Sequence, residues 1–447
     1  MRIYKYFNLL AVSLLILFGV FTGQIEFMAF LFMLSVAGFT ILRFFLHARK
    51  GVVYTIFGLF LLIYGTLTLI TQYELISRPY DDFFVHNDAA WSFYKWTMDE
   101  VVPLKWPELI KGTLLNPLFY EYALAELING TVAKIAVALG IEDVRLALRC
   151  LSVLYGALIT AILADILVKN KVDEKQVLKS IVLFGCCSYL FVTSAVFTRD
   201  VFVCFIYVAI AHVILVPHSS FRFIKLLFLS VCAFGARPEN GAFAIIFVMF
   251  YYLSLDGSKL RNYFLLALVA GVVVIFLLYT TFIADSLDTI QNFGEDATES
   301  TGGVFERVYS LPFPINKIAM VVYMLLQPLP MEKYIVGEGN SWFTLPFILS
   351  PYLIAYVVIC CLGFVFHRRF KNLLVSNFIL VSLLGFCLIT FVSPDIRRSF
   401  ATIPGLFGAY CLVYKDVPHP YKKFTKLFLW PMIFIINIFF QVYVMTK

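Results

Sequence analysis

The sequence predicts an all-α fold, a polytopic transmembrane helical bundle of about thirteen spans with a large extracytoplasmic loop holding short interfacial helices. Three observations carry that prediction. Of 447 residues, 61% are hydrophobic, against the roughly 45–50% apolar usage of soluble domains. Only 14% are charged, where about 25% is ordinary. The apolar residues also arrive in runs near the length of about 20 residues that a hydrocarbon core demands. Together these exclude a soluble enzyme, a nucleic-acid binder, a disordered chain and a secreted disulfide scaffold. Nine cysteines all fall in or at the ends of apolar runs and read as small buried hydrophobes.

In chain order the runs cover roughly 7–23, 26–46, 52–72, 148–168, 178–197, 201–217, 221–236, 240–255, 263–284, 344–366, 372–392, 399–414 and 427–445. A further run near 316–328 reads as interfacial. The first run has a basic start, as a signal peptide would, but no small-x-small cleavage site, so it reads as the first helix. Five regions follow: an N-terminal three-span segment (1–72), an extracytoplasmic loop with short helices (73–147) and a six-span core (148–284). A second extracytoplasmic loop with a mobile acidic segment (285–343) precedes a C-terminal four-span segment (344–447).

Short loops orient the chain, because Lys and Arg collect on the cytoplasmic side. With the N-terminus inside, the cytoplasmic connections hold twenty basic residues, from Arg2 and Lys5 to Lys422, Lys423 and Lys426, against four acids. The net charge of +7 is therefore a topology signal. The C-terminus then lies outside, in a multi-pass protein of the cell inner (plasma) membrane. His212 reads as a satisfied polar group within a span. Asp165, near an inner helix end, is expected to snorkel to water.

Against that frame, arginines at the outer ends of spans stand out. They occur in FTRD at Phe197 to Asp200, ARPEN at Ala236 to Asn240, and SPDIRRS at Ser393 to Ser399. The first long loop adds SRPYDDFFVHNDAAW, from Ser77 to Trp91. Ionisable groups at such depths are costly, and they are normally paired or functional. The guanidinium fork matches phosphate oxygens, so Arg199, Arg237, Arg397 and Arg398 are candidates to hold a lipid phosphate or diphosphate. Asp88, with Asp81 and Asp82 behind it, is the candidate general base for an acceptor hydroxyl. Asp200, Glu239, His86 and Asp395 are supporting candidates. A local reading stands beside this one: Arg199 with Asp200, and Arg237 with Glu239, could be ion pairs at helix ends, and Arg397 and Arg398 could snorkel. The three loop carboxylates could also bind a divalent metal, although no metal or other cofactor is expected. Asn129-Gly130-Thr131 fits a glycosylation sequon, a pattern too cheap to carry weight.

These segments resemble the multi-span glycosyltransferases of the GT-C class that use polyprenyl-phosphate sugars. The resemblance implies that HNDAAWSFYKW supplies Asp88 as base, that ARPEN is an outer-end Arg-Pro pair, and that SPDIRRSFATIPGLF places Arg397 or Arg398 near the donor phosphate. The large acidic loop here follows the third span, where the class has it after the first. FTRD, opening a span after a long apolar run, is also similar to the O-antigen-type polysaccharide repeat-unit polymerases of bacteria. Both resemblances imply glycosyl transfer at the extracytoplasmic face. The implied partners are a polyprenyl-phosphate-linked sugar donor, a glycan or lipid acceptor and membrane lipids, with no nucleic acid. A lipid-linked oligosaccharide flippase or other transporter is the competing class; it would want ionisable groups near mid-membrane, often in broken helices. A membrane acyltransferase would want a histidine base, and only His86 faces the expected site.

Overall fold

The computed structural model describes residues 25–48, 50–77, 94–115, 123–141, 144–217, 221–236, 238–253, 314–326, 344–366, 373–392 and 399–445, with isolated positions within 10–20 and 308–312. Among them every regular element is helical, and no strand occurs. Among the described residues three helices are long and apolar enough to cross a membrane, Met28–Phe45, Gly51–Leu69 and Val144–Lys169. The run expected at 263–284, and most of 7–23, lie outside the described residues. The chain forms two compact units, residues 1–244 with 337–346 and residues 245–336 with 347–447.

In the first unit, α1 (Ile25–Thr40) runs on through a π-helical turn, Ile41–Phe45, and α2 covers Gly51–Ser77. A π turn at Thr97–Val101 precedes α3 (Trp106–Leu115) and α4 (Ala123–Ala138). Then come α5 (Val144–Lys169), α6 (Glu174–Cys187), a single helical turn at Leu190–Thr193, α7 (Arg199–Leu215), α8 (Arg222–Ala236) and α9 (Pro238–Leu253), which continues into the second unit.

The hub is α5, against which α1, α2, α4, α6 and α7 all pack. A helix apolar on every side belongs in the middle of a bundle, and 22 of the 26 residues of α5 are buried, compared with 33% of Met28–Phe45. Its small residues Gly156, Ala157, Ala161 and Ala164 let neighbours approach closely. At Gly156 a Cβ would strike the Ser194 side chain and the Tyr64 ring. At Gly185 on α6 a Cβ would strike the Phe60 ring, and Tyr64 Oη donates to the Gly185 carbonyl at 3.0 Å. Helix α6 starts cleanly because the Asp173 carboxylate accepts from the Lys175 and Gln176 amides at 3.1 and 3.3 Å.

The expectation of one continuous span over 178–197 needs correction. Helix α6 ends at Cys187, Ser188 turns extended, and only Leu190–Thr193 winds again before α7. Every residue from Ser188 to Phe197 is buried. Irregular backbone at membrane depth is tolerated only where protein or a wet cavity covers it. Here Thr68 Oγ1 donates to the Ala195 carbonyl at 3.4 Å, and Ser194 lies against Gly156.

In the second unit, α10 (Ile315–Leu326) packs on α12 (Leu373–Val392) and α15 (Trp430–Met445). Helix α11 (Thr344–Phe366) carries Pro351 internally. A 3-10 turn at Phe400–Thr402 leads into α13 (Ile403–Asp416), and α14 (His419–Phe424) joins α15 through a π-helical segment, Thr425–Leu429. Tyr352 on α11 fixes the start of α15: its Oη donates to the Trp430 carbonyl at 3.0 Å and its ring meets the indole edge-on at 4.7 Å. All nine cysteines are free thiols, five of them buried.

Candidate functional site

Two parallel helices, α5 and α7, set the geometry. Tyr155 and Phe202 have ring centroids 5.1 Å apart, and Asp165 Oδ2 lies 2.7 Å from His212 Nε2. Both pairs are separated by 47 positions, so the helices run in the same direction in constant register. That register sets the first residue of α7, Arg199, level with Ser152, about 12 Å along from the start of α5 at 1.5 Å per residue. Arg149 sits about one turn nearer the start of α5, and Arg145 lies one further turn toward it.

Arg149 is the largest fully buried side chain among the described residues, at 1% exposure. Arg145, Arg199 and Asp200 keep partial access. The register therefore brings three arginines to the N-terminal ends of two adjacent helices. The macrodipole presents partial positive charge there, and a cation is disfavoured by about 0.3–1 kcal/mol. Thr198, the N-cap of α7, has extended backbone and makes no side-chain cap hydrogen bond. The first amides of α7, lacking intrahelical partners, are thus not closed by that cap. Guanidinium groups, helix-end amides and dipole of one sign together favour an anion. Helix α4, which packs on α5, carries buried Glu126 and Asn129. Asn129, at 7% exposure, is not available to a glycan.

The other ends of α5 and α7 hold a second set of charges. The expectation that Asp165 snorkels to water is wrong: it is 1% exposed. Its Oδ2 receives Lys169 Nζ at 2.6 Å as well as His212. The sequence masked this because Asp165 and His212 belong to different runs and meet only through the helix register. The surrounding basic groups cap C-terminal carbonyls, as the dipole favours. Lys169 Nζ donates to the Leu46 carbonyl at 2.7 Å and Lys225 Nζ to that of Phe45 at 2.9 Å. Arg222 reaches the Val216 carbonyl at 2.6 Å, and Asn170 reaches that of Leu215 at 3.1 Å. His212 Nδ1 finds no hydrogen-bond partner among the described residues.

Of the residues singled out in the sequence, Arg199 and Asp200 take adjacent places in the first turn of α7. Glu239 falls in the first turn of α9, by backbone. Asp81, Asp82, His86, Asp88, Arg237, Asp395, Arg397 and Arg398 lie outside the described residues. Arg149 was missed. The signal available was an arginine four residues beyond Arg145 inside an apolar run, since residues four apart share a helix face. Among the described residues no group of three His, Cys, Asp or Glu side chains is arranged to hold a metal. Comparison with protein families, curated proteins and solved structures found no match for this chain.

Proposed function

We propose that this protein is an integral membrane glycosyltransferase working at the extracytoplasmic face on polyprenyl-(di)phosphate-linked sugars. It would serve cell-surface polysaccharide or glycolipid synthesis, in the manner of the GT-C enzymes or of an O-antigen-type polymerase. The reading adopts about thirteen spans in the inner membrane, a cytoplasmic N-terminus and an extracytoplasmic C-terminus. In the proposed step the acceptor hydroxyl attacks the anomeric carbon and loses its proton to Asp88, with Asp81 or Asp82 as the neighbouring carboxylates. The bond from the anomeric carbon to the phosphate oxygen breaks, and the phosphate departs with the electron pair. Arg199, with Arg237, Arg397 and Arg398, stabilises that charge. One observation supports the reading: the shared register of α5 and α7 brings Arg145, Arg149 and Arg199 together near the N-terminal ends of two adjacent helices, a combination of positive charge and helix dipole that favours an anion.

The test is surface glycan extension in cells whose only copy of the gene carries Asp88→Asn or Arg237→Ala. Both variants should insert normally and make no extended glycan. Wild-type glycan in both would overturn the assignment.

A transporter or flippase of lipid-linked sugars is the second reading, and the buried break between α6 and α7 favours it, since broken helices build substrate sites in transporters. Purified protein in liposomes separates the two. Unchanged lipid-linked sugar appearing in the opposite leaflet means transport; a new glycosidic bond and free polyprenyl (di)phosphate mean transfer.

A further inference from the structure

We infer that residues 415–430 form a binding surface for anionic phospholipid headgroups. Helix α14, the π segment Thr425–Leu429 and α15 follow one another without a gap, so His419–Met445 is helical throughout. Its first third differs in chemistry from the remainder. Lys415, Lys422, Lys423 and Lys426, with His419, stand against the single acid Asp416 over this stretch. Lys415, Lys423 and Lys426 are exposed. Lys422 is held in place, its Nζ donating to the Lys415 carbonyl at 3.1 Å and lying 5.3 Å from the centre of the Tyr414 ring.

Tyr421, Phe424 and Phe428 recur at intervals of three and four, as one face of a helix does, whereas Lys422, Lys423 and Lys426 fall on the other arc. Phe424, Leu427 and Phe428 are 55%, 58% and 64% exposed, and the two Phe rings stack 5.7 Å apart. Immediately afterwards α15 is apolar and largely exposed, with Trp430 at its first position, where the aromatic belt of a membrane helix lies. A basic, aromatic amphipathic stretch opening onto an apolar helix sits at the headgroup boundary with its rings among the acyl chains. The lysines then meet lipid phosphates, and charge complementarity selects anionic lipids over zwitterionic ones. The π segment departs from α-helical winding where the surface stretch gives way to α15, and Tyr352 pins the helix at Trp430. This inference needs only a membrane protein and is independent of the proposed transfer reaction.

The experiment uses the full chain in detergent micelles doped with equal phosphatidylglycerol and phosphatidylcholine, read by native mass spectrometry of the retained lipid. Wild type should retain phosphatidylglycerol preferentially. Lys423→Gln with Lys426→Gln should lower that preference about five-fold per lysine, roughly 25-fold together. Lys423→Arg with Lys426→Arg should keep it. Both lysines are exposed, so an unchanged thermal midpoint is expected in every variant. A wild-type lipid ratio in the Gln variant overturns the inference. For wild type alone, raising salt from about 0.1 M to about 1 M shortens the screening length from roughly 10 Å to roughly 3 Å and should abolish the preference. Preference that survives salt, or that millimolar inorganic phosphate removes at constant ionic strength, also overturns it, the latter pointing to a phosphate pocket.

Discussion

The two ends of the α5–α7 pair carry charge in opposite ways. At the C-terminal end, cations sit where helix dipoles attract them, and their donors are taken up by carbonyls of Phe45, Leu46 and Val216 or by Asp165. Such groups hold a bundle together. At the N-terminal end, Arg145, Arg149 and Arg199 sit where the dipoles oppose them. The contrast teaches that charge within a membrane bundle has to be read against helix polarity: a cation is a fastener at the C-terminal end, and at the N-terminal end it is the receptor only of the proposed reaction.

The largest expected effect would come from breaking the fastener. Asp165→Ala leaves buried His212 Nε2 without its acceptor and half-buried Lys169 with only the Leu46 carbonyl, and should cost about 3 kcal/mol, the low end for a broken buried pair. The measurement is the thermal or denaturant midpoint of purified protein, and a loss below about 1 kcal/mol would remove Asp165 from the stabilising set. The receptor end should respond in function. Arg199→Gln should lower glycan extension by about 10²–10³-fold, as for loss of one donor to a developing charge. Its midpoint should stay within about 0.5 kcal/mol of wild type. A destabilised variant with proportionate activity would make Arg199 a fastener too. Between the two ends, Gly156→Ala sharpens the comparison by disturbing the register that defines it. The added methyl meets Ser194, and overpacking of this kind costs about 1–3 kcal/mol. Activity should fall by more than that stability loss explains, because the register sets Arg199 beside Arg149. The smallest effect belongs to Lys225→Met, which gives up one bond to the Phe45 carbonyl and keeps the aliphatic stem. A loss of about 1 kcal/mol in the midpoint and unaltered glycan extension are expected.

Much of the helical plan was legible because it depends on neighbours in sequence. The runs read at 344–366 and 372–392 correspond to Thr344–Phe366 and Leu373–Val392. The break after Cys187 was hidden, since residues 178–197 are as apolar as a continuous span; what permits the break is cover from Thr68, Tyr64 and Gly156, on other helices. Asp165 looked like a solvated end charge for a similar reason. Its partner His212 lies 47 positions away, and nothing local links them. The arginine end was half legible: Arg199 stood out as a charge at a span boundary, whereas Arg149 was absorbed into an apolar run.

Composition and periodicity alone determined an all-helical, membrane-adapted chain, because burying about 20 apolar residues per helix is decided within each segment. The tertiary structure decided which charges share a place. Interhelical register is set by side chains interlocking across α5, α6 and α7, above all where Gly156 lets Ser194 approach, and no single helix contains that information.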